Sequence, residues 1–302
     1  MSAFIKQIPT DIELIPCAYH NSVVFDKSLY IYGGANSSTT FGHMFSSRNL
    51  RNWVMSKRIK DENGNLIPPM DTGGMIEFNN RIYLMAGWTG SIFSPNVYVS
   101  QNMVIWEKLP PAPWAPRQYF GCCVFQDKLF VIGGFSDLIS NNIDVWWTRD
   151  CIQWHRIQDA PWSPIWWQCK AVSFNGKMYV LLANSSDNNQ IWATNNGINW
   201  IKMPMNDEFQ RRLYFAFITF ENKMIIVSGG SQVATHNDIW YSKDGVTWKK
   251  ATDAIVPNIN GIFGMNANCF NNELIIHLGL YKQGLSNVYS NDIYSVSRDI
   301  FV

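Results

Sequence analysis

The sequence predicts an all-β fold, a six-bladed β-propeller with four short antiparallel strands per blade, on three observations. A Trp following a polar turn recurs at Trp53, Trp106, Trp154, Trp200 and Trp248, in steps of 53, 48, 46 and 48 residues. A Phe closing an apolar strand recurs six times, at Phe25, Phe78, Phe125, Phe174, Phe220 and Phe270, in steps of 53, 47, 49, 46 and 50. Nothing carries the 3.6-residue apolar period of a long helix. Four-stranded units repeating about every 50 residues form a propeller, whose radial repetition leaves only short sheet edges exposed.

Each unit reads in the same order. Strand a ends at the Phe, a short polar turn follows, and strand b ends in a small doublet such as Gly33-Gly34, Ala86-Gly87 or Gly133-Gly134. Strand c leads to an Asx-Gly type turn, and strand d begins at the Trp. The clearest copy of the second hairpin is Asn237-Asp238-Ile239-Trp240-Tyr241-Ser242-Lys243-Asp244-Gly245-Val246-Thr247-Trp248, where Asp244-Gly245 accepts positive φ at low cost between alternating apolar residues. The blades fall at about 17–57, 70–109, 117–157, 166–203, 212–251 and 262–302 of a single domain. The sixth unit reaches Tyr294 and Asp299 and stops at Val302 before a fourth strand, while Phe4-Ile5-Lys6 resembles the strand Trp200-Ile201-Lys202. Residues 3–8 or so are therefore predicted to complete blade six and close the ring, because the backbone groups of an open edge need partners.

The Gly doublets, Tyr30, Tyr83 and Tyr179 in the strands leading to the doublets, and the late Trp residues together resemble the kelch-repeat family, the propeller type of the galactose oxidase central domain. The resemblance spans nearly the whole chain and implies a kelch-type propeller, most of which are interaction scaffolds. Units four and six depart from it, with Leu182-Ala183 and Leu278-Gly279 at the doublet, and their following loops are expected to differ. Tyr19-His20 resembles the adjacent metal ligands of the copper radical oxidases. The chain shows neither a Cys and Tyr cross-link pair nor the following domain of those enzymes, so no metal or cofactor is expected.

Composition narrows the partners. Of 302 residues 47% are hydrophobic and 16% charged, enough for a continuous core. A net charge of +1 with no Lys or Arg run disfavours nucleic acid. No leader and no run of about 18 apolar residues is present, so the chain reads as soluble, cytoplasmic and monomeric, with no membrane partner. Six cysteines without CxxC spacing, four of them (Cys122, Cys123, Cys169 and Cys269) in equivalent apolar strands, read as reduced core thiols.

Strand alternation puts the a–b and c–d turns on one face and the longer b–c loops and d–a links on the other, where propellers place function. Aligning the units on Phe25 gives one column of Cys17, Met70, Arg117, Trp166, Arg212 and Ile262 and a second of Tyr19, Thr72, Tyr119, Gln168, Tyr214 and Gly264. Both are expected to ring the channel mouth. A third column, Asn21, Gly74, Gly121, Lys170, Ala216 and Asn266, is small or polar apart from Lys170, as a narrow wet channel requires.

The candidate ligand-binding residues are Arg117, Tyr119, Trp166, Trp167, Arg212, Tyr214, Trp88 and Tyr19, because aromatic faces beside Arg forks suit a sugar ring, a carboxylate or an acidic peptide. The hairpin Trp residues, with Trp114 and Trp162, read as packing. The sequence thus predicts a binding protein engaging a protein segment or glycan at the loop-rich face. The alternative is a carbohydrate-active enzyme resembling a sialic-acid mutarotase, with Asp71, Asp137 or Glu208 moving protons and Arg117 and Arg212 clamping an anionic sugar. No motif fixes a catalytic residue.

Overall fold

The computed structural model describes residues 4–138, 143–163, 168–184, 189–205, 209, 211–230, 234–284 and 286–301. Six antiparallel sheets surround one axis, five of them four-stranded and one five-stranded. Their inner strands are Asn21–Phe25, Gly74–Phe78, Gly121–Phe125, Gln168–Phe174, Ala216–Phe220 and Asn266–Phe270, each ending at one of the six repeating Phe residues. Among the described residues the one helical element is the 3-10 turn Arg298–Ile300, and no helix is long and apolar enough to cross a membrane.

The ring closes as the edge argument requires. Ile5–Gln7 pairs antiparallel with Ser286–Val296, in the register Ile5 to Val296 and Gln7 to Tyr294. Ser297 N–H donating to Phe4 O and Ile8 N–H donating to Ile293 O, both at 2.8 Å, extend the seam at either end. Ile5 is 1% exposed in a cluster with Tyr294, Val296 and Phe301. Apolar clusters like this one lie between neighbouring blades, as where Val23 and Tyr32 of blade one meet Met75, Leu84 and Trp106 of blade two. Blade two carries an addition that the repeat does not announce, the short strand Lys60–Asp61, parallel to Ile105–Lys108.

Two local readings are refined. The second hairpin is wider than a two-residue turn, since of Asp244-Gly245 only Gly245 has positive φ, at 76°. The Asp244 side chain accepts from the Val246 and Thr247 N–H groups, and Ser242 Oγ accepts from the Gly245 N–H, all at 2.8 Å. The same hydroxyl cap holds Leu50, Met103, Cys151 and Gly197 in the other blades, which is why Ser or Thr stands three residues before each.

The doublet is a pair of left-handed residues: Gly33 and Gly34, Ala86 and Gly87, Gly133 and Gly134, Ser228 and Gly229, Leu278 and Gly279. Its second position is always Gly because the inner strand's chain lies against it; a Cβ on Gly87 would stand 2.5 Å from Asp71 O. Unit six thus keeps the device. Unit four loses it: Leu182-Ala183 continues the strand Lys177–Ala183, paired without a bulge to Gln168–Phe174.

The cysteines are all free thiols. Cys17, Cys123, Cys151 and Cys169 are buried and Cys122 is half-buried, whereas Cys269, expected in the core, is exposed. Its strand presents alternate residues outward, and Asn268 rather than Cys269 faces the channel.

Candidate functional site at the channel mouth

Where each inner strand begins, a ring of hydrogen bonds circles the axis. Tyr19, Thr72, Tyr119, Tyr214 and Gly264 all have left-handed backbones, with φ between 51° and 65°. Each passes a bond to the next blade: Thr72 N–H donates to Tyr19 O, Tyr119 N–H to Thr72 O, Cys169 N–H to Tyr119 O, Gly264 N–H to Tyr214 O and Tyr19 N–H to Gly264 O. In blade four Gln168 begins the strand Gln168–Phe174, and its side chain fills in, its Oε1 accepting from the Tyr214 N–H. The circuit through six blades supplements the seam at Ile5–Gln7.

Three aromatic side chains stand on this ring. Tyr19, Tyr119 and Tyr214 come from blades one, three and five and meet across the axis, with ring centroids 5.3 to 6.3 Å apart. Only three such rings fit, and the even blades carry Thr72, Gln168 and Gly264. A Cβ on Gly264 would stand 2.8 Å from the Tyr19 ring. Burial pushes all three hydroxyls above the ordinary tyrosine range; the neighbouring phenols add to the rise at Tyr19 and Tyr119, whereas the hydrogen bond with Tyr119 partly offsets it at Tyr214.

The other candidates divide. Trp88 is half-buried on the same face, its backbone bridging Asp71 and its ring 5.0 Å from Phe93, which in turn meets Phe135 at 5.8 Å. Trp166, Trp167 and Glu208 lie outside the described residues. Asp137 is exposed on the loop after Phe135.

Arg117 and Arg212 do not reach the mouth. Arg117 is 0% exposed and bonds both oxygens of Asp144 at 2.7 and 2.8 Å; Arg212 is 1% exposed and holds Asp238 in the same bidentate way. Trp146 and Trp240 donate to the same two carboxylates. Cys17, Met70 and Ile262 of that column are buried as well. The left-handed residue two positions on breaks the strand alternation, so this column turns into the blade while the next turns to the axis. The repeat alignment was blind to this, because a residue two places along points the same way only in a continuous strand.

Asp71 is buried at the rim, accepting from Thr72 Oγ1 at 2.8 Å and Thr40 Oγ1 at 3.3 Å, with no cation paired to it among the described residues. Burial pushes its carboxyl up to about 6, the two hydroxyls only partly offsetting the desolvation.

Behind the channel wall, where blade six meets blade one, lies a pair that sequence reasoning missed. His20 Nε2 and His277 Nδ1 are 2.8 Å apart, and both rings are buried. They are 257 residues apart in the chain and meet only because blade six closes on blade one. Burial pushes His277 down to about 3 and His20 well below its usual range, with the neighbouring His277 and Lys170 lowering His20 further.

This pair sets a pH dependence. Neither histidine accepts a proton while folded, but both do once unfolded, so their contribution is intact above about 6.5 and is lost as pH falls toward 3. His277 alone then costs about 2 kcal/mol at pH 5 by linkage. Asp71, whose folded carboxyl holds its proton more tightly, acts oppositely and returns about 1 kcal/mol, leaving a net loss once His20 is added. Urea midpoints are expected to fall between pH 7 and pH 5, and to fall less in His277→Gln; a midpoint that rises on acidification would show the pair protonated in the fold.

The kelch motif family matches residues 116–147, which is blade three from Arg117 through Trp147. Over an alignment of 175 residues that covers 50% of this chain it is 25% identical to Kelch domain-containing protein 10 of Xenopus tropicalis, and over 52% of the chain it is 24% identical to the Bos taurus and Homo sapiens proteins of that name. The match spans only 38–39% of the length of these relatives. Among solved structures the chain is similar to YjhT, with a TM-score of 0.73 and 14% identity over 96% of this chain and 97% of that one, a likeness of fold. Six blades, left-handed doublets in five of them, the kelch motif in the third, and the likeness to kelch domain proteins together identify a six-bladed β-propeller similar to kelch-repeat proteins.

Proposed function

We propose that this chain is a binding module that seats a protein segment on its loop-rich face, across the mouth of the central channel. The observation that carries the reading is the convergence of Tyr19, Tyr119 and Tyr214 at the axis, beside the half-buried Trp88, Phe93 and Phe135. Rigid aromatic rings with polar tips provide contact area at low entropic cost and recur as anchors of protein interfaces. Kelch propellers support a protein-binding role in general. A protein segment is preferred to an anionic sugar because the guanidinium forks of Arg117 and Arg212 are already bonded to Asp144 and Asp238. Trp166 and Trp167 remain candidate contacts of the same face.

Peptides selected from a displayed random library on the native chain should lose at least tenfold in affinity against Trp88→Ala and against Tyr119→Ala, with thermal midpoints within a few degrees of the parent. Selected peptides that bind both variants as well as the parent, or a glycan array that yields ligands where the peptide library yields none, would overturn the reading.

A further inference from the structure

The three tyrosines and the inner strands line a cavity of about 190 Å³ in the channel. At roughly 10–15 Å³ of this measure per water it has room for a small organic molecule. Its wall is polar, including Asn21, Ser22, Asn266 and Asn268, and among the described lining residues Lys170 is the only charged one. Lys170 makes no ion pair with any described carboxylate. Lys170 is half-buried, and burial pulls its ammonium below the ordinary lysine range. The repeat makes the residue conspicuous, because its column is otherwise small or uncharged.

A second, independent feature faces the same space. Ser22 Oγ donates to Asn268 Oδ1 at 2.7 Å, and His277 Nε2 meets that oxygen at 2.8 Å. An amide oxygen can only accept, so His277 carries its proton on Nε2 and presents a lone pair on Nδ1. His20 Nε2, 2.8 Å from that nitrogen, must be the donor. The neutral His20 ring is then left with a bare Nδ1. This nitrogen is buried and has no hydrogen-bond partner, on a side chain 4% exposed that lines the cavity. One wall thus offers a cation lacking an anion, and another an acceptor lacking a donor.

We propose that the channel interior binds a small hydroxycarboxylate, its carboxylate paired with Lys170 and its hydroxyl donating to His20 Nδ1. A single negative charge balances the single ammonium, whereas a phosphate dianion would bring surplus charge into a desolvated site without the Arg fork or helix N-terminus that usually offsets it. A buried acceptor left bare discriminates strongly between a ligand bearing a hydroxyl and one lacking it. The cavity shares Tyr19, Tyr119 and Tyr214 with the mouth, but Lys170 and His20 are not among the peptide contacts proposed there, so Lys170→Met leaves peptide binding at the loop-rich face unchanged, and failure here leaves that reading standing.

The test titrates the full chain calorimetrically with lactate, with propionate, which lacks the hydroxyl, and with inorganic phosphate. Lactate should bind saturably, at least fivefold more tightly than propionate, and weaken tenfold or more in Lys170→Met. That variant should keep or raise its thermal midpoint, so lost binding will not reflect lost folding. Nitrogen NMR of labelled histidine should show His20 Nδ1 unprotonated in the free chain and shifted by lactate. Absence of lactate binding, binding indifferent to Lys170→Met, equal affinity for propionate, tighter binding of phosphate, or a protonated His20 Nδ1 would each overturn the assignment.

Discussion

A chain lacking residues 1–9 is expected to lose its cooperative unfolding transition and to aggregate at concentrations where the parent stays monodisperse. Ile5 is 1% exposed between Tyr294, Val296 and Phe301, and burying it is worth about 2 kcal/mol. Its strand also satisfies the outer backbone edge at Tyr294, Ser295 and Val296, which would otherwise stand open as a template for pairing with another chain. The comparison that isolates closure is a permutant in which residues 3–9 follow Val302. There the 3-10 turn at Arg298–Ile300 occupies the place of the c–d turn of the other blades, and the strand can enter from the C-terminal side. Calorimetry should return the permutant to within a few degrees of the parent. A truncated chain that melts like the parent would show that the ring is held by something other than this seam.

Arg117→Ala should destabilise the protein by about 3–5 kcal/mol, the usual cost of leaving one member of a buried pair alone. For a chain of this size that amounts to a fall of roughly 10 °C in thermal midpoint. Burial pushes the Asp144 carboxyl up, but the hydrogen bonds and charge of Arg117, with the Trp146 N–H, outweigh it and hold the group below its ordinary value. Removing the guanidinium reverses the balance and strands a carboxylate that is 7% exposed. Asp144→Asn should cost less, because the amide oxygen still accepts from Arg117 while the charge is lost. Urea unfolding at constant slope measures both. A midpoint unmoved in Arg117→Ala, with ligand binding lost, would return Arg117 to the binding face.

The two buried pairs show how the repeat spends its polar residues. Blades three and five each hold Arg, Asp and Trp in one cluster, at Arg117, Asp144 and Trp146 and at Arg212, Asp238 and Trp240. Blade four keeps the last contact alone, Trp192 Nε1 donating to Gln190 Oε1 at 3.2 Å. Blade six replaces it with Tyr294 and Asp292, which also accepts from Gln7 of the closing strand. Side chains that vary around the ring therefore serve one end, tying the second hairpin of a blade to its neighbouring elements.

Blade four is where several departures coincide. Without the doublet its inner hairpin runs straight, its ring bond passes through the Gln168 side chain, and its channel position carries Lys170. An interior charge there costs stability.

Much of this architecture was legible in the chain itself. The 50-residue recurrence of Phe and Trp, the turn chemistry and the similarity of Phe4-Ile5-Lys6 to an outer strand all depend on short-range physics: strand alternation, the hydroxyl cap of a turn, the unmet backbone of an edge. These specify six blades and their closure without any knowledge of the axis. Which side chains face that axis is a different matter. A single left-handed residue at Tyr19, Tyr119 or Tyr214 reverses the alternation, sending Arg117 and Arg212 into the blades and bringing the tyrosines together. The pairing of His20 with His277 and the isolation of Lys170 arise only when the ring is closed, because contacts between strands hundreds of residues apart leave no local pattern to read.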